Sequence, residues 1–167
     1  MKLMIASDIH GSSYWCRKLM DEFEREQPHK LLLLGDILYH GPRNDLPQGY
    51  DPKAVIAMLN PLADRILCVR GNCEAEVDQM VLSFPCLADY ALLCLDGQTL
   101  IAAHGHREHP RPAAGDILVT GHTHVTLDCM ENGCRHLNPG SVSLPKENTP
   151  RGYIIMAEGE IEFRTLD

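Results

Sequence analysis

Five short polar motifs each follow an apolar run that is typical of a buried strand. They are Asp8-Ile9-His10, Gly35-Asp36, Gly71-Asn72-Cys73-Glu74, His104-Gly105-His106 and Gly121-His122-Thr123-His124. In open α/β sheets, ligands bind outside the carboxyl ends of the strands, so motifs at those ends gather at one edge. Carboxylate, carboxamide and imidazole groups bind divalent metals, and this mixture suits Mn, Fe, Co, Ni or Zn. The sequence therefore predicts a metal site at that edge.

The number of ligand-type residues is enough for two metal ions. Asp36 has two carboxylate oxygens, so we expect it to be shared between the ions. The other predicted ligands are Asp8, His10, Asn72, His104, His122 and His124. Two-metal sites hold their ions about 3.5–4 Å apart and stabilise both the attacking and the leaving oxygen.

The expected nucleophile is a bridging water whose pKa is lowered by two cations. The sequence offers no Gly-x-Ser-x-Gly elbow, no Walker A loop and no Gly-x-Gly-x-x-Gly motif. These observations predict a hydrolase of phosphate esters.

The hydrophobic pattern indicates strand–helix–strand units first and mostly strands afterwards. Strands are predicted at residues 2–7, 30–35, 65–70, 90–95, 98–103, 117–120, 125–130, 134–137, 152–157 and 161–166. Helices are predicted at residues 14–27 and 52–62, with a helical turn at 74–82. Asp96-Gly97 and Asn132-Gly133 are expected to be hairpin turns, and residues 138–141 a further turn. This order predicts an α/β fold of two packed sheets with helices outside.

Composition is that of one globular domain spanning residues 1–167. The chain is 44% hydrophobic, and its net charge of −8 (15 basic minus 23 acidic residues) makes nucleic acid an unlikely partner. Seven cysteines without a regular spacing do not indicate disulfides. No apolar run is long enough for a membrane span or a secretory signal, so we expect a cytoplasmic protein that does not contact membranes.

The ordered motifs Asp-x-His, Gly-Asp, Gly-Asn, a single His and Gly-His-x-His resemble those of the calcineurin-like metallophosphoesterases. The likeness to YfcE-type phosphodiesterases is closer, through Gly71-Asn72-Cys73, His40-Gly41-Pro42-Arg43-Asn44 and Asn138-Pro139-Gly140-Ser141. It extends from residue 1 to about residue 146 and implies a four-layer α/β/β/α sandwich. It also implies that one ion is held by Asp8, His10, Asp36 and His124, and the other by Asp36, Asn72, His104 and His122. Mn²⁺ is the usual activator that the resemblance implies.

Two residues depart from the family pattern. Many members have a histidine after the motif asparagine, whereas this chain has Cys73. A thiol with a pKa near 8.5 donates a proton less readily than imidazolium at neutral pH, which favours diesters with good leaving groups. Cys73 is either the proton donor or a small packing residue. Glu74 stands where close relatives tend to have Asp, and we expect it outside the metal coordination, capping the following helix.

Three further residues are candidates for substrate binding. Arg43 lies in a long polar loop at the predicted metal edge and is either a phosphate clamp or a solvated surface residue. His40 and His106 are candidates for substrate contact or proton delivery, and His106 could instead orient His104. The expected substrate is a small phosphodiester.

Three functional alternatives stay open. The same centre could serve a phosphomonoesterase or a nucleotide pyrophosphatase, and the same fold could serve as a non-catalytic scaffold. Exposed apolar groups in the loop at residues 39–50 could support a homo-oligomer. Cys129 and Cys134 flank a predicted hairpin turn and are expected to pack rather than bind zinc, since two sulfurs alone do not make a zinc site.

Overall fold

The computed structural model describes residues 1–95 and 97–167, which form two five-stranded sheets packed face to face. The first sheet has the order β10-β9-β1-β2-β3, and the second has the order β4-β5-β6-β8-β7. The strands of the first sheet are β1 (Leu3–Ala6), β2 (Lys30–Leu33), β3 (Ile66–Cys68), β9 (Gly152–Ala157) and β10 (Glu160–Thr165). Those of the second are β4 (Tyr90–Leu95), β5 (Gln98–Ala103), β6 (Ile117–Val119), β7 (Thr126–Glu131) and β8 (Cys134–Pro139).

Each sheet contains three parallel neighbours, and these strands carry the polar motifs. In the first sheet β1 runs parallel to β2, and β2 to β3; in the second, β5 runs parallel to β6, and β6 to β8. Parallel strands bring their carboxyl ends to one edge, as the sequence pattern predicts. These two mixed sheets confirm the predicted α/β architecture of two packed sheets with helices outside.

The helices described are α1 (Ser13–Glu26), α2 (Pro52–Leu59), which continues as a 3₁₀ helix (Asn60–Arg65), and α3 (Glu76–Val81). Helices α1 and α2 lie against the outer face of the first sheet, whereas the short helix α3 has no buried residue. Helix α1 begins where the Ser12 hydroxyl accepts a hydrogen bond from the Trp15 N–H, and it ends before Pro28. The buried face of α1, together with α2, packs against every second side chain of the strands, among them Met4, Leu31 and Tyr153.

The main core between the sheets comes from the opposite side chains of the same strands. Leu3, Ile5 and Leu32 of the first sheet meet Leu100 and Val119 of the second. Side chains alternate along a strand, so the neighbouring residues of the second sheet point to its outer face. There Ile101, Leu118 and Cys134 form a small separate cluster.

Most element predictions are confirmed, with differences at the ends. The α-helix predicted to reach residue 62 ends at Leu59, and the chain tightens into a 3₁₀ turn around Pro61, whose nitrogen cannot donate. The turn predicted at residues 138–141 is wrong at its start, since Asn138 and Pro139 extend β8 by pairing with β7. The Asn132-Gly133 turn is confirmed, with φ of 52° and 79°. In the predicted Asp96-Gly97 turn, Asp96 lies outside the described residues.

Within the part of the chain that the structure describes, no helix has the length and apolar character needed to cross a membrane.

Candidate metal centre

The predicted ligands lie in the loops directly after their strands, where the backbone is unusual. Five of the seven have positive φ: 58° at Asp8, 50° at His10, 54° at Asp36, 66° at His122 and 61° at His124. Non-glycine residues rarely adopt this left-handed conformation, and it concentrates at functional sites. The predicted ligands therefore lie at the carboxyl ends of strands from both sheets.

The first donor group contains Asp8, His10 and His124, all buried. The His10 and His124 Nε2 atoms are 3.1 Å apart, and they lie 3.5 and 3.2 Å from Asp8 Oδ1. The other oxygen of Asp8 accepts hydrogen bonds from the Ser7 hydroxyl at 2.5 Å and the His122 N–H at 3.0 Å. Asp8 therefore presents Oδ1 alone to the two imidazoles.

The second donor group is centred on the Asn72 carboxamide. Asn72 Oδ1 lies 3.1 Å from His104 Nε2 and 2.7 Å from His122 Nδ1. The three side chains come from loops after β3, β5 and β6, so this group spans both sheets.

Asp36 lies between the two groups. Its Oδ2 is 3.6 Å from His10 Nε2 and 3.5 Å from His104 Nε2. Its Oδ1 accepts a hydrogen bond from the Cys73 N–H at 2.8 Å, which fixes the carboxylate plane. This is the position that the sequence analysis predicts for a shared ligand.

The donor arrangement fits divalent cations. Asp8 Oδ1 is buried and has no hydrogen-bond partner among the described residues, although nitrogens surround it. Donor atoms of Asp8, His10 and His124 lie within 4.8 Å of one another, as do those of Asp8, Asp36 and His104. A buried, unpaired carboxylate oxygen is costly unless a cation or proton neutralises it.

The electrostatics of the centre point in the same direction. Burial opposes ionisation of Asp8 and Asp36, but facing imidazoles outweigh it and lower the pKa of both carboxyls. Burial likewise opposes protonation of His104, yet the Asp36 and Asp8 carboxylates raise its pKa to about 9. The pKa of His10 is raised in the same way, against burial, mainly by Asp8. A metal ion would displace these protons, because ligating imidazoles must be neutral.

Three of the imidazoles are oriented by backbone carbonyls. His10 Nδ1 is 2.8 Å from the Tyr39 oxygen, His104 Nδ1 is 2.6 Å from the Leu34 oxygen, and His124 Nδ1 is 2.6 Å from the Leu144 oxygen. Each ring can donate from Nδ1 and keep Nε2 as the free ligand atom, which is the usual arrangement of metal-binding histidines. The alternative that His106 orients His104 is wrong, because the Leu34 carbonyl holds that position.

Glu74 joins two of the motif loops, and the expectation that it caps α3 is wrong. Its buried carboxylate accepts hydrogen bonds from the N–H groups of Asp36 at 2.8 Å, Ile37 at 2.7 Å and Gly71 at 2.5 Å. Burial and the nearby Asp36 raise the pKa of Glu74 to about 7. Only glycine fits at position 71, because the Cβ of any other residue would lie 2.1 Å from Asp36 Oδ1.

A cavity of about 410 Å³ opens beside the donor groups. Arg43, Cys73 and Lys146 line it together with Asp36 and Asn72. Arg43 lies on this wall, and its role as a phosphate clamp stays a prediction. The sequence analysis did not predict Lys146 as a site residue. It lies shortly after the Asn-Pro-Gly-Ser motif, but it belongs to no motif of its own. Burial and the Asp36 carboxylate raise the pKa of Cys73, which keeps the thiol protonated at neutral pH.

His40 and His106 lie next to the centre rather than on the cavity wall. His40 packs between the rings of Tyr39 and Tyr50, at centroid distances of 4.7 and 5.2 Å. His106 stands 5.2 Å from the His104 ring, and burial and His104 lower its pKa. Their substrate roles stay predictions.

Comparisons with known proteins agree with this geometry. The model of the calcineurin-like phosphoesterase superfamily domain matches residues 1–160. The phosphodiesterase YfcE of Escherichia coli K12 is 46% identical over 157 residues, covering 92% of this chain and 85% of that protein. A solved structure of YfcE, a phosphoesterase from E. coli, superposes with a TM-score of 0.96 and 42% identity, covering 100% of this chain and 94% of that one.

More distant relatives share the fold. The probable metallophosphoesterase YsnB of Bacillus subtilis is 22% identical over 167 residues, covering 93% of this chain and 83% of that protein. Vps29 from Entamoeba histolytica, in a crystal structure with Zn²⁺, superposes with a TM-score of 0.62 at 17% identity, covering 98% and 97% of the two chains. The family implies divalent metal ions, and the donor groups described here suit them. The chain belongs to the calcineurin-like phosphoesterase superfamily, and it is a hydrolase of phosphate esters.

Proposed function

We propose that this chain is a phosphodiesterase that depends on two divalent cations and acts on small phosphate diesters. The 46% identity to a phosphodiesterase, YfcE, over most of both chains supports this activity. The cavity of about 410 Å³ suits a small molecule rather than a polymer.

The observation that carries the proposal is the position of Asp36. Its Oδ2 stands at nearly equal distances, 3.6 and 3.5 Å, from His10 and His104, which belong to different donor groups. A carboxylate in that place can be shared by two cations. One would be held by Asp8, His10, Asp36 and His124, and the other by Asp36, Asn72, His104 and His122.

Mn²⁺ is the ion we propose, with Fe, Zn, Ni or Co as alternatives. The seven donors are carboxylates, a carboxamide and imidazoles, without a thiolate, which suits Mn²⁺ better than a thiol-rich set would. When bound, two such ions supply charge neutralisation of the phosphate and an acidified water at neutral pH.

The chain's own residues would position and neutralise the substrate. Arg43 can hold two phosphate oxygens through its guanidinium, and Lys146 adds a second positive charge on the same wall. Cys73 fixes the Asp36 carboxylate through its N–H. Its thiol, with a raised pKa, is a weak acid, so diesters with good leaving groups should react faster than those that need protonation.

A second candidate is a phosphomonoesterase or nucleotide pyrophosphatase with the same centre. The observation that favours it is the presence of two positively charged side chains, Arg43 and Lys146, on the cavity wall. A monoester carries more negative charge than a diester and would gain more from both. Rates on a chromogenic diester and its monoester analogue, measured side by side, separate the two activities. A scaffold role would instead give neither activity, and metal analysis would find the site empty at saturating Mn²⁺.

Replacement of Asp36 by Asn tests the proposal. Asn keeps an oxygen for the Cys73 N–H but cannot share a charged oxygen between two ions. We expect kcat to fall by about a hundredfold or more, with an unchanged circular dichroism spectrum. Asp21→Asn, on the exposed side of α1, is the matched control. Retained activity in Asp36→Asn would overturn the two-metal proposal.

The cytoplasmic location and the homo-oligomer stay predictions.

A further inference from the structure

The hairpin of β7 and β8 gathers four chemically active side chains on one face. In its register Cys129 pairs with His136, and Glu131 pairs with Cys134. Residues two apart on a strand, and residues directly opposite on its neighbour, project from the same face of a sheet. Cys134 packs with Ile101 and Leu118, so this face is the outer face of the second sheet. It lies on the side of that sheet away from the inter-sheet core.

Three of these side chains have donor atoms at metal-ligand spacing. Cys129 Sγ lies 3.6 Å from Glu131 Oε1, and His136 Nδ1 lies 3.8 Å from Glu131 Oε2. All three donor atoms fall within 4.8 Å of one another. Ligands of tetrahedral zinc, with bonds of about 2.0–2.3 Å, stand about 3.3–3.8 Å apart. The observed spacing needs only small side-chain movements to close around an ion.

His136 is already oriented as a metal-binding histidine. Its Nε2 lies 2.9 Å from the Thr120 hydroxyl, while its Nδ1 is buried and has no hydrogen-bond partner within the described residues. Metal-bound histidines typically donate their second ring N–H to an oxygen, which fixes the tautomer. Burial lowers the pKa of His136, so its imidazole is neutral at neutral pH, as ligation requires.

We propose that Cys129, Glu131 and His136 bind one thiophilic divalent cation, with Zn²⁺ as the representative ion. A cysteine, a carboxylate and a histidine are typical zinc ligands, and three protein ligands leave one position open. A cavity of about 580 Å³, lined by His109, Arg111 and Pro112 as well as by Glu131 and His136, gives water or a small ligand access to that position. Cys134 keeps its predicted packing role, since its sulfur is buried and directed at the Arg135 carbonyl.

The proposed zinc site is separate from the predicted catalytic centre, but a residue that orients one of its ligands is adjacent in sequence to a catalytic motif. Thr120, which orients His136, directly precedes Gly121-His122-Thr123-His124. A bound ion would fasten the β7–β8 hairpin to the end of β6 and would stiffen the base of that loop.

Cobalt binding tests the proposal, because a thiolate bound to Co²⁺ gives a charge-transfer band in the near ultraviolet. The full-length protein would be stripped of metal and titrated with Co²⁺. We expect the band in the wild type, its loss in Cys129→Ser, and its retention in Cys94→Ser, which changes an exposed cysteine on β4. Cys73→Ser must also retain the band, since the sulfur of Cys73 lies beside the catalytic centre.

Zinc stoichiometry gives an independent measurement. Equilibrium dialysis with elemental analysis should find one ion fewer per chain in Cys129→Ser and in His136→Gln than in Cys94→Ser. Thr120→Val should weaken zinc binding at this site by about tenfold. Equal stoichiometry in all variants, or a band that disappears in Cys73→Ser and persists in Cys129→Ser, would overturn the proposal. Asp36→Asn should leave the band intact, so failure of the catalytic centre is distinguishable from failure of this site.

Discussion

The carboxylate of Glu74 accepts a hydrogen bond from the backbone N–H of Asp36 at 2.8 Å. The same side chain holds Ile37 and Gly71, so one buried group fixes the loops after β2 and β3 together. The shared ligand of the predicted metal centre, Asp36, is thus positioned by Glu74 through its backbone N–H. Glu74 is a positioning residue.

Replacement of Glu74 by Gln should weaken both folding and turnover. The amide nitrogen of Gln cannot accept, so at least one buried N–H loses its partner, at about 1–3 kcal/mol of unfolding free energy. We expect kcat to fall because Asp36 shifts, with KM nearly constant. Glu76→Gln, two residues on and exposed, is the control for chemical denaturation and steady-state kinetics. Equal behaviour of the two variants would contradict the role given to Glu74.

Arg43→Ala should raise KM for a diester by about tenfold or more, with a smaller change in kcat. The guanidinium on the cavity wall would bind the ground-state phosphate, and hydrogen bonds to charged groups contribute about 1.5–3 kcal/mol. Arg164→Ala, on the edge strand β10, is the control. If KM is unchanged and only Lys146→Ala raises it, Arg43 is the solvated surface residue and the lysine is the clamp.

Cys73→Ser should barely change turnover of a diester with a good leaving group. The thiol is protonated and its pKa is raised, so its contribution as an acid is small for such a substrate. The comparison that matters uses a series of leaving groups with increasing pKa. A loss confined to poor leaving groups would assign proton donation to Cys73, whereas no loss at any leaving group makes it a packing residue.

The metal-free protein should lose stability as pH rises from about 6.5 to about 9. The pKa of His104 is raised from 6.5 to about 9 in the folded state, so its contribution is fully present below 6.5 and is lost as pH rises through 9. The loss amounts to about 3 kcal/mol at most. Denaturation in chelator at several pH values measures it. His104→Gln should flatten this slope and His29→Gln, at an exposed position, should not; an unchanged slope in His104→Gln would refute the assignment.

The strand-end motifs were predictable from the sequence because their logic is local. An apolar run that is followed by Asp36, or by Asp8 and His10, predicts both the strand and the position of the ligand after it. Parallel pairing of the strands then brings these ligands to the same edge of the sheet. The order of the sheets was not predictable in this way. Strand β9 lies beside β1 although about 150 residues separate them, and only the packed core fixes that neighbour.

Contacts between distant segments explain the predictions that failed. The sequence next to Glu74 suggests a helix cap, but its partners lie in the loop after β2, nearly forty residues earlier. The shared face of Cys129, Glu131 and His136 likewise depends on the register of β7 against β8, which the residues flanking the turn do not specify. Lys146 carries no motif, and its place on the cavity wall follows from how the chain returns after β8.

The most direct test is hydrolysis of a chromogenic phosphodiester by the metal-stripped protein, with and without added Mn²⁺. The monoester analogue is assayed in parallel, and Asp36→Asn under the same conditions reports activity that does not come from the centre. We predict that diester cleavage is absent without metal, returns with Mn²⁺ in the wild type alone, and exceeds monoester cleavage. Diester cleavage that survives chelation, or that Mn²⁺ restores equally in Asp36→Asn, would contradict the proposed two-metal centre.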